Sequence, residues 1–206
     1  NATFTYFEIP QGGEIRFYNP QGTWVEGPYT YEDNKAHRVL GLPLVNGDRT
    51  VIEVVLPAGL ATRPRLEIGE VVGGYRDLFP DYSPVATSAA AADASVNTKG
   101  VGAAQLPAQP QDPAAAGSCN IDVNCSLGNS WQTEKHAVAR MLFSGYLCTG
   151  QMLNNVAQDC KNYFLTANHC IDRSNLASAC VFYWNYERTG CGSGTSSLTQ
   201  NQTGSV

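Results

Sequence analysis

The chain has 206 residues, 43% hydrophobic and 15% charged, with a formal net charge of −5 at pH 7. That apolar content supports a packed core and excludes global disorder. An acidic chain with no Lys/Arg cluster excludes a nucleic-acid partner, and the lack of any run of about 18 apolar residues excludes a helical membrane span.

The first third reads as short strands with turn punctuation. Thr3-Phe4-Thr5-Tyr6-Phe7-Glu8-Ile9 is β-rich and stops at Pro10-Gln11-Gly12-Gly13. Glu14-Ile15-Arg16-Phe17-Tyr18 alternates polar and apolar residues and turns at Asn19-Pro20-Gln21-Gly22. Thr50 to Leu56 and Arg65 to Val72 give two further strands. Period-two patterning with recurrent Gly, Pro and Asn predicts an antiparallel sandwich over 1–79. Glu8, Glu53 and Glu67 fall on outward positions, which reads as a solvated face and not as catalytic carboxylates. Trp24, Tyr29 and Tyr31 could offer a glycan-stacking surface, although such residues more often build cores and strand pairs.

Composition then shifts. Ala89-Ala90-Ala91-Ala92 and the run from Gln105 to Ala116 hold little that a core could use, and the prolines stiffen the chain. The segment 80–117 reads as a linker. It contains Lys99-Gly100-Val101, either a solvated linker lysine or a point where a lysine-directed protease could cut.

Strands return over 118–206, now with cysteines. Ala137 to Phe143, a strand or a single helical stretch, Cys148 to Leu153, Tyr163 to Thr166 and Val181 to Tyr186 are the candidates, the last so aromatic that it suits the wall of a closed β-barrel. All seven cysteines fall between Cys119 and Cys191. That cluster fits a disulfide framework made in an oxidising compartment. Zinc is disfavoured because no C-x-x-C knuckle occurs and His169 and Cys170, adjacent on a strand, would point apart. No cofactor is expected.

The densest chemical signal is Tyr163-Phe164-Leu165-Thr166-Ala167-Asn168-His169-Cys170. An apolar strand running into a His with a Cys beside it can deliver an imidazole to a cleft and pin it there. A His-based hydrolase also needs a nucleophile and an orienting carboxylate. The stretch from Arg173 to Val206 has no Asp and a single Glu, Glu187. Asp172 follows the histidine too closely and reads as a helix or turn cap. Ser193, between Gly192 and Gly194, reads as part of a turn. His37 and His136 lack a comparable setting and read as surface residues.

Gly117-Ser118-Cys119-Asn120-Ile121-Asp122-Val123-Asn124-Cys125, Cys148-Thr149-Gly150, Asn154-Asn155, Tyr163 to Cys170 and Val181 to Glu187 occur in one order. In that order they resemble secreted bacterial trypsin-like serine endopeptidases of the lysyl endopeptidase type, from 117 onward. Residues 1–79 are similar, less specifically, to the β-rich segment that precedes the catalytic domain in such precursors.

The resemblance implies an all-β chain: a sandwich-like pro- or accessory domain (1–79), a linker (80–117), and the first β-barrel of a chymotrypsin-like protease (118–206), without the second barrel. It implies that His169 is the general base and acid of a Ser-His-Asp triad, with the Asp and Ser on later segments. It implies disulfides Cys125–Cys191 and Cys148–Cys170, and leaves Cys119 without a partner here. Cys160 and Cys180 depart from the family pattern; they precede the two strongest strands and are expected to bridge them as neighbours. The expected protein is a fragment, inactive as it stands, of a secreted monomeric enzyme that hydrolyses polypeptide substrates. Any export signal is removed or lies upstream of Asn1. The rival expectation is a non-catalytic secreted protease-like or carbohydrate/protein-binding protein.

Overall fold

The structure, a computed structural model, describes residues 1–73 and 120–204. The expected linker, Lys99 and Cys119 lie outside them. Eleven strands are present among the described residues, with one five-residue helix.

Residues 1–73 form two three-stranded antiparallel sheets. One has the order β4-β1-β6, from β1 (Ala2–Glu8), β4 (Leu40–Gly41) and β6 (Arg65–Val71). The other has the order β3-β2-β5, from β2 (Glu14–Tyr18), β3 (Val25–Tyr29) and β5 (Val51–Val55). Phe4, Phe7, Ile9, Ile15, Phe17, Tyr29, Leu40 and Leu42 fill the space between them. Their rings meet obliquely, Phe4 to Phe17 at 5.8 Å and Phe17 to Tyr29 at 5.7 Å between centroids, the geometry that aromatic quadrupoles favour.

Strict alternation would send Phe4 and Phe7 to opposite faces. Both are buried because the β1–β6 register shifts around Thr5. The bulge rotates the strand by one residue and returns the second ring to the core. Gly69 lies opposite, where a Cβ would collide with the Thr5 side chain.

Residues 120–204 form a five-stranded antiparallel sheet of order β11-β10-β7-β8-β9. Its strands are β7 (Val138–Phe143), β8 (Tyr146–Leu153), β9 (Tyr163–Thr166), β10 (Val181–Trp184) and β11 (Asn201–Thr203). Ser144 and Gly145 make the tight β7–β8 turn, both at positive φ (44° and 76°), as the twist of a two-residue hairpin requires. The sheet curls: Phe164 on β9 lies 4.9 Å from Phe182 on β10 across the concave face, although β7 and β8 stand between those strands. Met141, Phe143, Cys148, Cys170, Cys180, Phe164 and Phe182 pack on that side. The expected closed barrel is not what forms, because β9 and β11 remain edge strands among the described residues.

The opposite, convex face carries Leu142, Val181 and Tyr183, and it joins the N-terminal sheets. Leu44, Leu142, Val181, Tyr183 and Leu198 make one buried cluster, flanked by Trp24, Leu147 and Tyr186. The Leu44 amide donates to the Tyr183 hydroxyl at 2.9 Å inside it. Gly41 passes so close to the Ala179 carbonyl that a Cβ has no room. Asn201 on β11 donates to Glu26 on β3 at 3.3 Å.

Candidate active site

The site is built from the β8–β9 pair outward. Gly150 pairs with Thr166, and the Thr166 hydroxyl donates to the Thr149 carbonyl at 3.0 Å. A Cβ at Gly150 would run into the Phe164 ring and the Leu165 carbonyl, so the glycine lets the aromatic of β9 approach β8 closely. The strand then stops. The Cys170 amide donates back to the Ala167 carbonyl at 2.9 Å, closing a turn over Ala167 to Cys170, and His169 projects from that turn into solvent.

Cys170, buried, is bonded to Cys148 on β8 with 6.2 Å between Cα atoms. The bond fixes the turn to the sheet. The closest side-chain nitrogen of His169 and the two sulfurs all lie within 4.8 Å of one another. His169 and Cys170 therefore do not point apart as expected, because they occupy a turn and not a continuing strand. Cys, His and Cys in one place resemble a metal donor set, but both sulfurs are already bonded to each other, and a ligating cysteine must be a free thiolate. The donors do not fit a metal.

His169 makes no hydrogen bond or ion pair with any described residue. Asp172 is not a cap: the helix α1 (Ser174–Ser178) has no side-chain cap at its start, and Asp172 pairs with Arg173 at 3.1 Å on the surface. Ser193 closes a tight turn, its carbonyl accepting from the Gly190 amide at 3.1 Å. The turn is held by the Cys125–Cys191 bond and by Gly192 donating to Asp122 at 3.2 Å. His136 is exposed, with its Nδ1 2.6 Å from the Asn185 side-chain oxygen. His37 is half-buried, and its Nδ1 accepts from the Val39 amide.

Cys160 and Cys180 do not bridge; both are free thiols. Their strands β9 and β10 are not neighbours, being separated by β7 and β8. Cys180 sits in the concave core, where burial pushes its thiol up to about 12, whereas Cys160 is exposed on the loop before β9.

The aromatics proposed as a stacking surface divide. Tyr29 is core, and Trp24 is half-buried against the second cluster with its indole N–H donating to Glu26 at 3.1 Å. Tyr31 alone is largely exposed. Glu26 itself went unnoticed in the sequence. Burial raises its pKa, while the Asn201 and Trp24 hydrogen bonds pull the other way.

Two comparisons bear on this arrangement. Residues 114–206 match the family described as lysyl endopeptidase, C-terminal domain. Over 190 residues the chain is 28% identical to a lysyl endopeptidase of Pseudomonas aeruginosa, an alignment covering 84% of this chain and 34% of that protein. The similarity is to lysyl endopeptidases. The chain spans about a third of that relative's length, and the alignment is long enough to extend into residues 1–73 as well as the sheet that carries His169. No helix among the described residues is long and apolar enough to cross a membrane.

Proposed function

We propose that this chain carries the histidine-bearing portion of a secreted serine endopeptidase directed at lysine. His169 is its general base and acid, and polypeptide is its substrate. The observation that carries the reading is the meeting of the lysyl endopeptidase similarity with a solvent-facing histidine on a disulfide-fixed turn at the end of a strand.

In this reading neutral His169 takes the proton of an attacking serine hydroxyl as its oxygen adds to the scissile carbonyl. The imidazolium then hands that proton to the leaving amine, and water repeats the cycle on the acyl-enzyme. A carboxylate on the other ring nitrogen would hold the tautomer. We assign that carboxylate and the serine to the part of the relative's length that this chain does not span. The Cys148–Cys170 bond is a positioning element: it fixes where the ring starts and takes no part in proton transfer.

The reading is tested with a fluorophosphonate probe, which phosphonylates a serine only where a base activates it. The longest natural polypeptide containing these 206 residues should label at one serine outside them, and His169→Ala should abolish that labelling. Labelling that persists in the variant would assign the base to another residue. No labelling in the unmodified protein would favour a non-catalytic binding protein on the same scaffold.

A further inference from the structure

The convex cluster has a consequence that does not depend on the protease reading. Sheet register sorts the side chains of residues 120–204 onto two faces. Leu142 pairs with Val181 and with Leu147, so these three share the convex face, and Tyr183, opposite Arg140, joins them. Met141 pairs with Phe182 and with Cys148, so these share the concave face, and with them goes the disulfide that fixes the His169 turn. Residues 1–73 occupy only the first of these: Leu44 seals against Tyr183, Glu26 receives Asn201, Gly41 abuts Ala179, and Val72 lies under the Gly145 turn.

We infer that residues 1–73 are a standing brace on the back of the His169-bearing sheet: they stay bound when the chain between the two parts is cut, and they leave His169 open. Retention follows from what separation would expose. Val181 is 0% and Tyr183 1% accessible with the brace in place, and departure would return both to water with Leu142 and Leu44. It would also break the buried hydrogen bond from the Leu44 amide to the Tyr183 hydroxyl, exchanging it for bonds to water at a modest net cost. Openness follows from the register. The brace approaches the face opposite the disulfide, and His169 is exposed while the brace is bound.

The test uses the whole chain with a recognition sequence for a site-specific protease inserted beside Lys99. After cutting, the two pieces should elute together in size-exclusion chromatography at micromolar concentration. Tyr183→Phe, which keeps the ring and removes the acceptor, should weaken the cut complex by about tenfold. Asn201→Ala, which removes the longer, part-buried contact to Glu26 at 3.3 Å, should weaken it less. In the same uncut protein, diethyl pyrocarbonate should modify His169 as readily as the exposed His136, read by peptide mass. Pieces that part as soon as the chain is cut would overturn retention, as would a Tyr183→Phe complex as tight as the original. Protection of His169 relative to His136 would overturn openness. Neither readout is an activity, so failure of the protease proposal would leave both outcomes unchanged.

Discussion

At the scale of single residues, the environments of three side chains separate readings that the sequence leaves level. Cys160 and Cys180 look equivalent as letters, each a few residues ahead of an aromatic strand. One is exposed and the other buried, with its thiol pushed up to about 12. Only the thiolate reacts with alkylating reagents, so iodoacetamide at neutral pH should label Cys160 in the folded protein and reach Cys180 only after unfolding. Equal labelling of both in the folded state would place Cys180 outside the core. Glu26 is the third. Burial raises its pKa above the usual 4.5, so the folded state holds its proton more tightly than the unfolded chain does. Its favourable contribution is present below the unfolded value and is lost as pH rises through the folded value. Glu26→Gln should therefore gain stability relative to the parent as pH rises above about 4.5, read by urea unfolding. A difference that is flat or falls with pH would mean that the hydrogen bonds from Asn201 and Trp24 outweigh burial.

At the scale of elements, much of the sheet was legible because it rests on local chemistry. Alternation marked β2, Val/Ile enrichment marked β5, and aromatic runs bounded by polar turns marked β9 and β10 to within a residue or two. Other elements resisted for physical reasons. β4 is two residues long, and β3 contains Gly27 and Pro28, which depress any strand signal; both exist because neighbouring strands offer them partners. β11 is Asn201-Gln202-Thr203, which has no apolar residue to announce it and is held by β10. The Cys160–Cys180 expectation failed because sequence neighbours among strands need not be sheet neighbours. The Cys148–Cys170 staple makes an element-scale prediction: its 22-residue separation corresponds to about 3 kcal/mol of loop-closure entropy removed from the unfolded chain. Replacing both cysteines by serine should lower stability by about that amount in chemical denaturation. No measurable loss would indicate that the turn over Ala167 to Cys170 is held by its backbone hydrogen bonds alone.

At the scale of the whole molecule, the division most visible in the sequence, cysteine-free ahead of cysteine-rich, has a core on each side, and a third cluster joins them across it. The cluster of Leu44, Leu142, Val181, Tyr183 and Leu198 draws on both sides of it. Its N-terminal contribution lies in Leu40-Gly41-Leu42-Pro43-Leu44, an apolar run with neither strand nor helix period that the patterning arguments passed over. Shared burial of this kind predicts one cooperative unfolding transition, with Trp24 and Trp184 reporting a common midpoint; two separated midpoints would show the parts unfolding independently. The role proposed for His169, the base of a serine endopeptidase, is open to kinetics on the longest natural polypeptide containing this chain. The measurement is hydrolysis of a lysyl ester by the parent and by His169→Ala. His169→Ala should lower kcat by roughly 10⁴-fold or more, with KM little changed; a variant that keeps the parent's kcat would remove His169 from the base role.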